Sequence, residues 1–79
     1  MINNEILVNL SRLFSDLTGN QYEFDEETQA KDVPEWDSLN HISFIISIEQ
    51  FYNVKFTRQE IKSWKNISEI CNSISAKIQ

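Results

Sequence analysis

The sequence predicts an all-α domain, a small four-helix bundle of three longer helices and one short one, with a long loop between the first two. Three observations predict it. Apolar residues recur at helical spacing in three separate stretches. Residues that start and stop helices stand at the ends of those stretches. The chain holds one Gly and one Pro, Gly19 and Pro34, so few places exist to break it. At 79 residues it is expected to be a single domain spanning 1–79, with no internal repeat or low-complexity tract.

The first helix is expected over about residues 4–17, where Ile6, Leu10, Leu13, Phe14 and Leu17 form one stripe. Asn3 or Asn4 can cap its start, with Glu5 favourable in the first turn. Gly19 is placed to end it in the left-handed conformation. The segment that follows, NQYEFDEETQAKDVPEW, is acidic, has no sustained period and carries Pro34. Structureless connections of this length are uncommon in compact domains unless they are functional. Tyr22, Phe24, Val33 and Trp36 read as anchors that pin it to the core.

A second helix is expected from about Ser38 to Tyr52. Asn40, Ser43, Ser47 and Gln50 share a polar strip on its wheel. Leu39, Ile42, Phe44, Ile45, Ile46, Ile48, Phe51 and Tyr52 fill the rest, so burial on more than one side is expected, which makes this the central helix. The run Ile45, Ile46 and Ile48 has strand propensity, but its length and one-sided polar residues favour helix. Asn53 tolerates the left-handed conformation that ends it. Thr57 and Glu60 then stand at capping-box spacing and start a helix of one or two turns. Asn66 caps a last helix over about residues 67–78, with Ile67, Ile70, Cys71, Ile74 and Ile78 as its stripe.

The formal charge of −5 is unevenly spread: residues 1–37 hold nine acids and two bases, residues 38–79 three acids and five bases. An acidic first half repels nucleic acid and anionic lipid and suits basic partners, or is simply a solvated surface. No basic patch for nucleic acid is present, and no apolar run reaches membrane-spanning length. The first ten residues lack the pattern of a signal peptide. With a single Cys, Cys71, no internal disulfide forms, which fits a cytoplasmic location. Enzyme chemistry is poorly supplied. His41 and Cys71 fall on different helices with no linking motif. One Gly cannot build a phosphate loop, and DEET lacks calcium-loop spacing, so no metal site is expected.

Ser38 stands apart. A hydroxyl in the first turn of a helix is exposed, beside unpaired backbone N–H groups and the positive end of the helix dipole. That is a favourable place for a phosphate ester. Leu39 is expected to anchor in the core and aim it. Asp37 and Ser38 are also common N-cap residues, so a plain helix cap fits the same residues.

The stretch DVPEWDSLNHISFIISIEQFYNVKF resembles the acyl carrier protein family, with Asp37-Ser38-Leu39 opening the second of four helices after a long acidic loop. Its WDSL form is similar to discrete carriers of specialised pathways. The resemblance implies a non-enzymatic carrier whose Ser38 bears covalent 4′-phosphopantetheine. A phosphopantetheinyl transferase would deliver the arm from coenzyme A, reading Asp37 and Leu39 with the serine. Acyl intermediates of fatty acid or polyketide type would ride as thioesters on the arm, between the enzymes that load and remove them, with the carrier a monomer. The family's recognition helix corresponds to Asn40, Ser43, Ile46, Ser47 and Gln50. That helix is usually acidic, whereas here its outward strip holds only Glu49, so docking is expected to lean on loop acids, Ile46 and hydrogen bonds. An aminoacyl or peptidyl carrier, or a helical interaction module in which Asp37 and Ser38 only cap, are the other readings.

Overall fold

The structure is a computed structural model that describes residues 4–78. Four helices occur in the expected order: α1 (Asn4–Thr18), α2 (Ser38–Tyr52), α3 (Arg58–Ser63) and α4 (Ile67–Ile78). No strand occurs among the described residues. Asn3, one of the two proposed caps of α1, lies outside them.

The helix ends form where local chemistry directs. Gly19, at φ 78°, donates its N–H to Ser15 O at 2.9 Å and ends α1. Asn53 ends α2 in the left-handed region, at φ 55° and ψ 50°. Thr57 and Glu60 form a reciprocal capping box at the start of α3. The Asn66 side chain accepts the Glu69 N–H at 3.1 Å and starts α4.

The core joins Ile6, Leu10 and Phe14 of α1 to Phe44 and Ile48 of α2 and to Ile67, Ile70, Cys71 and Ile74 of α4. Phe24 and Val33 of the long loop are buried with them. The helix that makes the principal contacts with both α2 and α4 is α1. This corrects the expectation that α2 is central and buried on several sides. Of α2, only Phe44, Ile45 and Ile48 are buried. Leu39, Ile42, Ile46 and Phe51 are exposed by 72%, 57%, 47% and 54%. A four-helix domain of this size has too little surface to cover a helix that is apolar nearly all round. Ile78 also departs from its expected stripe and is 46% exposed, at the last turn of α4.

The long loop is an ordered part of the bundle. Ser11 and Ser15, one turn apart on α1, donate their hydroxyls to helix carbonyls, Leu7 O at 3.0 Å and Ser11 O at 2.8 Å. The same oxygens accept loop amides, Phe24 N–H at 2.9 Å and Tyr22 N–H at 2.8 Å. Tyr22, Phe24 and Trp36 then gather round Phe14 at ring-centroid distances of 5.1, 5.4 and 5.4 Å. One feature of the loop had no periodic signature, a single 3₁₀ turn at Ala30–Asp32. Beyond the Asp25 turn, Thr28 O and Glu26 O accept the Ile67 and Ser68 amides at 2.9 and 3.0 Å. The loop therefore closes over the start of α4 and fills donors a helix cannot satisfy alone.

Candidate functional site

The site is built around the entry to α2. Trp36 N–H bonds Val33 O at 2.9 Å, and Asp37 N–H bonds Glu35 O at 3.0 Å, so the chain turns tightly after Pro34. Asp37 is extended, at φ −92° and ψ −175°, and its Oδ1 accepts the Asn40 N–H at 2.8 Å. The cap of α2 is thus Asp37 and not Ser38. The Ser38 side chain is exposed, and its hydroxyl makes no hydrogen bond among the described residues. The amides of Ser38 and Leu39 also lack an acceptor there. An idle hydroxyl beside free donors at the positive end of a helix suits a phosphate ester.

The residues before Ser38 are held from several sides. Asn40 Nδ2 donates to Glu35 O at 2.7 Å. The Glu35 carboxylate accepts from Asn20 Nδ2 at 2.7 Å and from the Tyr22 hydroxyl. That carboxylate raises the Tyr22 phenol above its usual 10.0, chiefly through the hydrogen bond, with burial and charge repulsion adding to it. Trp36 Nε1–H donates to His41 Nδ1 at 2.9 Å, and burial lowers His41 below its usual 6.5.

Leu39 does not reach the core as expected. It stands outward at the head of a stripe with Ile42, Ile46 and Gln50, all exposed. Of the polar strip read as the recognition face, Asn40, Ser43 and Ser47 are half-buried, and the Asn40 side chain is spent on Glu35. The outward face of α2 is therefore more apolar than its wheel suggested. Glu49, the sole carboxylate of this helix, turns to the Phe56 N–H at 2.9 Å. A slot of about 50 Å³ lies beside His41 between Trp36, Trp64, Lys65 and Ile70.

Other chemistry is weakly supported. Cys71 is buried, and burial pushes its thiol to about 11, against nucleophilic use. No cluster of metal-ligating side chains occurs among the described residues, and no helix is long and apolar enough to cross a membrane.

No family model matches the chain, and no curated protein matches it. Among solved structures, it is similar to the holo acyl carrier protein of Geobacter metallireducens, determined in solution by NMR. The two share 30% identity at a TM-score of 0.85, over 91% of this chain and 84% of that one.

Proposed function

The chain belongs to the acyl carrier protein family, and from that premise we propose that it carries acyl intermediates as thioesters on a 4′-phosphopantetheine arm borne by Ser38. The observation that carries this reading is the exposed, unbonded Ser38 hydroxyl at a helix start already capped by Asp37. In loading, Ser38 Oγ attacks the phosphorus of coenzyme A that bears pantetheine. The P–O–P bond breaks, the nucleotide 3′,5′-bisphosphate leaves, and the serine proton passes to a base of the transferase. Asp37 holds the first turn still, and the exposed Leu39 gives the transferase an apolar contact next to the serine. The carrier needs no catalytic group, since chemistry on the thioester belongs to its partner enzymes.

Those partners would dock on α2. Of the residues read from the sequence, Ile46 and Gln50 are exposed, with Asn40, Ser43 and Ser47 half-buried beside them. The exposed Leu39 and Ile42 join them. With Glu49 turned to Phe56, this face is uncharged, which supports docking by apolar contact with weak salt dependence. The buried, unpaired Cys71 fits a reducing compartment, the cytoplasm, and a monomer suits a carrier that visits several enzymes.

The test is intact-mass measurement after incubation with coenzyme A and a promiscuous phosphopantetheinyl transferase. One added arm, absent in Ser38→Ala, is expected. No addition, under conditions that load a control carrier, overturns the reading. It would leave the apolar face of α2 as the surface of a helical interaction module.

A further inference from the structure

The bond between Trp36 and His41 joins the loop to α2 across the residue to be loaded. The indole N–H has no acceptor function, so it can only donate. His41 Nδ1 must therefore be unprotonated to receive it, at 2.9 Å, which places the ring proton on Nε2. An imidazolium carries a proton on both nitrogens, so no rotation of the ring restores an acceptor.

The indole is held on several sides, and the imidazole is partly enclosed. The Trp36 ring lies 5.4, 5.7 and 5.3 Å from the rings of Phe14, Phe24 and Phe44, all core residues. His41 is half-buried, and its backbone N–H bonds Asp37 O at 2.8 Å. Between the two ends of this loop-to-helix clasp sit only the Asp37 cap, Ser38, Leu39 and Asn40. Among the described residues no carboxylate is hydrogen-bonded to the imidazole. The carboxylate of Glu35 is spent on Asn20 and Tyr22, and that of Asp37 on the Asn40 amide. From the α3–α4 connection, Lys65 lines the slot beside the imidazole. The facing parts of α1 and α4 are Phe14 and Ile70, which carry no charge.

We propose that the Trp36–His41 hydrogen bond is a proton-sensitive latch on the loading site, holding the turn that presents Ser38 while His41 is neutral and releasing it when His41 takes up a proton. The proposal rests on the carrier reading for its function, and on geometry alone for its mechanism. Burial lowers His41 from 6.5, so the latch is closed at neutral pH and opens under more acidic conditions. His41 acts here as a positioning residue, through Trp36 and Asp37.

A second indole bond serves as a comparison, although Trp64 lines the same slot as His41. Trp64 Nε1–H donates to Ser73 Oγ at 2.8 Å, a partner that does not titrate in this range. The experiment follows both indole N–H signals and the Ser38 amide of ¹⁵N-labelled apo protein by NMR, from about pH 7.5 to about pH 5, across the range where histidine titrates. Trp36→Phe assigns the indole signals. The expected result is that the Trp36 indole and Ser38 amide move together with the His41 ring protons, at a midpoint below 6.5, while Trp64, whose bond to Ser73 persists, moves much less. In His41→Asn, whose side-chain oxygen is an acceptor that takes up no proton, neither signal moves. The loading rate of the natural chain, divided by that of His41→Asn at each pH, falls by about fivefold through the same midpoint, the equivalent of one ordinary hydrogen bond.

A Trp36 indole that ignores the titration of His41 overturns the latch. So does a Ser38 amide that stays in place while Trp36 moves, or a loading ratio that is flat with pH. The wild-type titration decides the matter even where His41→Asn does not fold. Failure to load at about pH 7.5, where His41 is neutral, overturns the carrier reading instead, and the Trp36 and Ser38 signals still judge the latch.

Discussion

The N-terminal ends of α2 and α4 begin alike. At each, a short side chain accepts the amide three residues on, Asp37 from Asn40 at 2.8 Å and Asn66 from Glu69 at 3.1 Å. They then diverge. At α4 the Ile67 and Ser68 amides receive the carbonyls of Thr28 and Glu26, and the Ile67 side chain is wholly buried. At α2 the amides of Ser38 and Leu39 and the Ser38 hydroxyl have no partner among the described residues, and Leu39 projects outward. The same kind of cap serves a closed end and an open one. What separates them is the long loop, which passes over the first and leads directly into the second. A residue pattern typical of a helix start is therefore left open only where nothing else covers it.

The largest effect expected from breaking this contrast is at Ser38. Ser38→Ala abolishes loading in the intact-mass assay, while its chemical-denaturation free energy stays within about 0.5 kcal/mol of the natural chain, as for an exposed residue with no bonds. Next comes the pair of apolar residues at the two ends. Ile67→Ala, at the closed end, costs about 2–5 kcal/mol through lost burial and a cavity, measured by urea unfolding. Leu39→Ala, at the open end, changes unfolding by no more than about 0.5 kcal/mol but slows transfer of the arm. A large unfolding penalty for Leu39→Ala would erase the distinction.

The two caps sharpen it further. Asp37→Ala and Asn66→Ala each cost about 1 kcal/mol of stability. Only Asp37→Ala slows loading when the two are compared well below their thermal midpoints. The smallest effect is on pH. The fold favours neutral His41, so the unfolded chain binds the proton more readily. The resulting stability is fully present above 6.5 and is lost as pH falls from there through the folded-state value. A thermal-midpoint series in mildly acidic buffers, with His41→Asn as reference, shows this as a shallow decline present only in the natural chain.

Much of this architecture was legible because its punctuation is sparse and unambiguous. Gly19, Asn53, the Thr57–Glu60 box and Asn66 each mark a boundary that the backbone adopts, and Asp37-Ser38-Leu39 opens α2. The orientation of α2 was not legible. Periodicity works by contrast between faces, and a helix with eight apolar residues spread round most of its wheel offers little. Leu39 was thus read as a core anchor, and the serines as the outward strip. Glu49 was read as an outward acid because sequence spacing does not reveal a carboxylate reaching the Phe56 amide. The Ala30–Asp32 turn is shorter than any period, and the Trp36–His41 bond crosses a loop–helix boundary where neither helix nor strand spacing applies.

The two serines of α1 bear on how the carrier moves. Because Ser11 and Ser15 hold the Phe24 and Tyr22 amides, those two hydrogens should exchange with solvent as slowly as helical ones, unlike those of a surface loop. The Tyr22–Phe24 part of the loop is then expected to open with α1 and not on its own. On the proposed carrier reading, the reach of a cargo would then be set by the length of its tether and by the tumbling of the whole body.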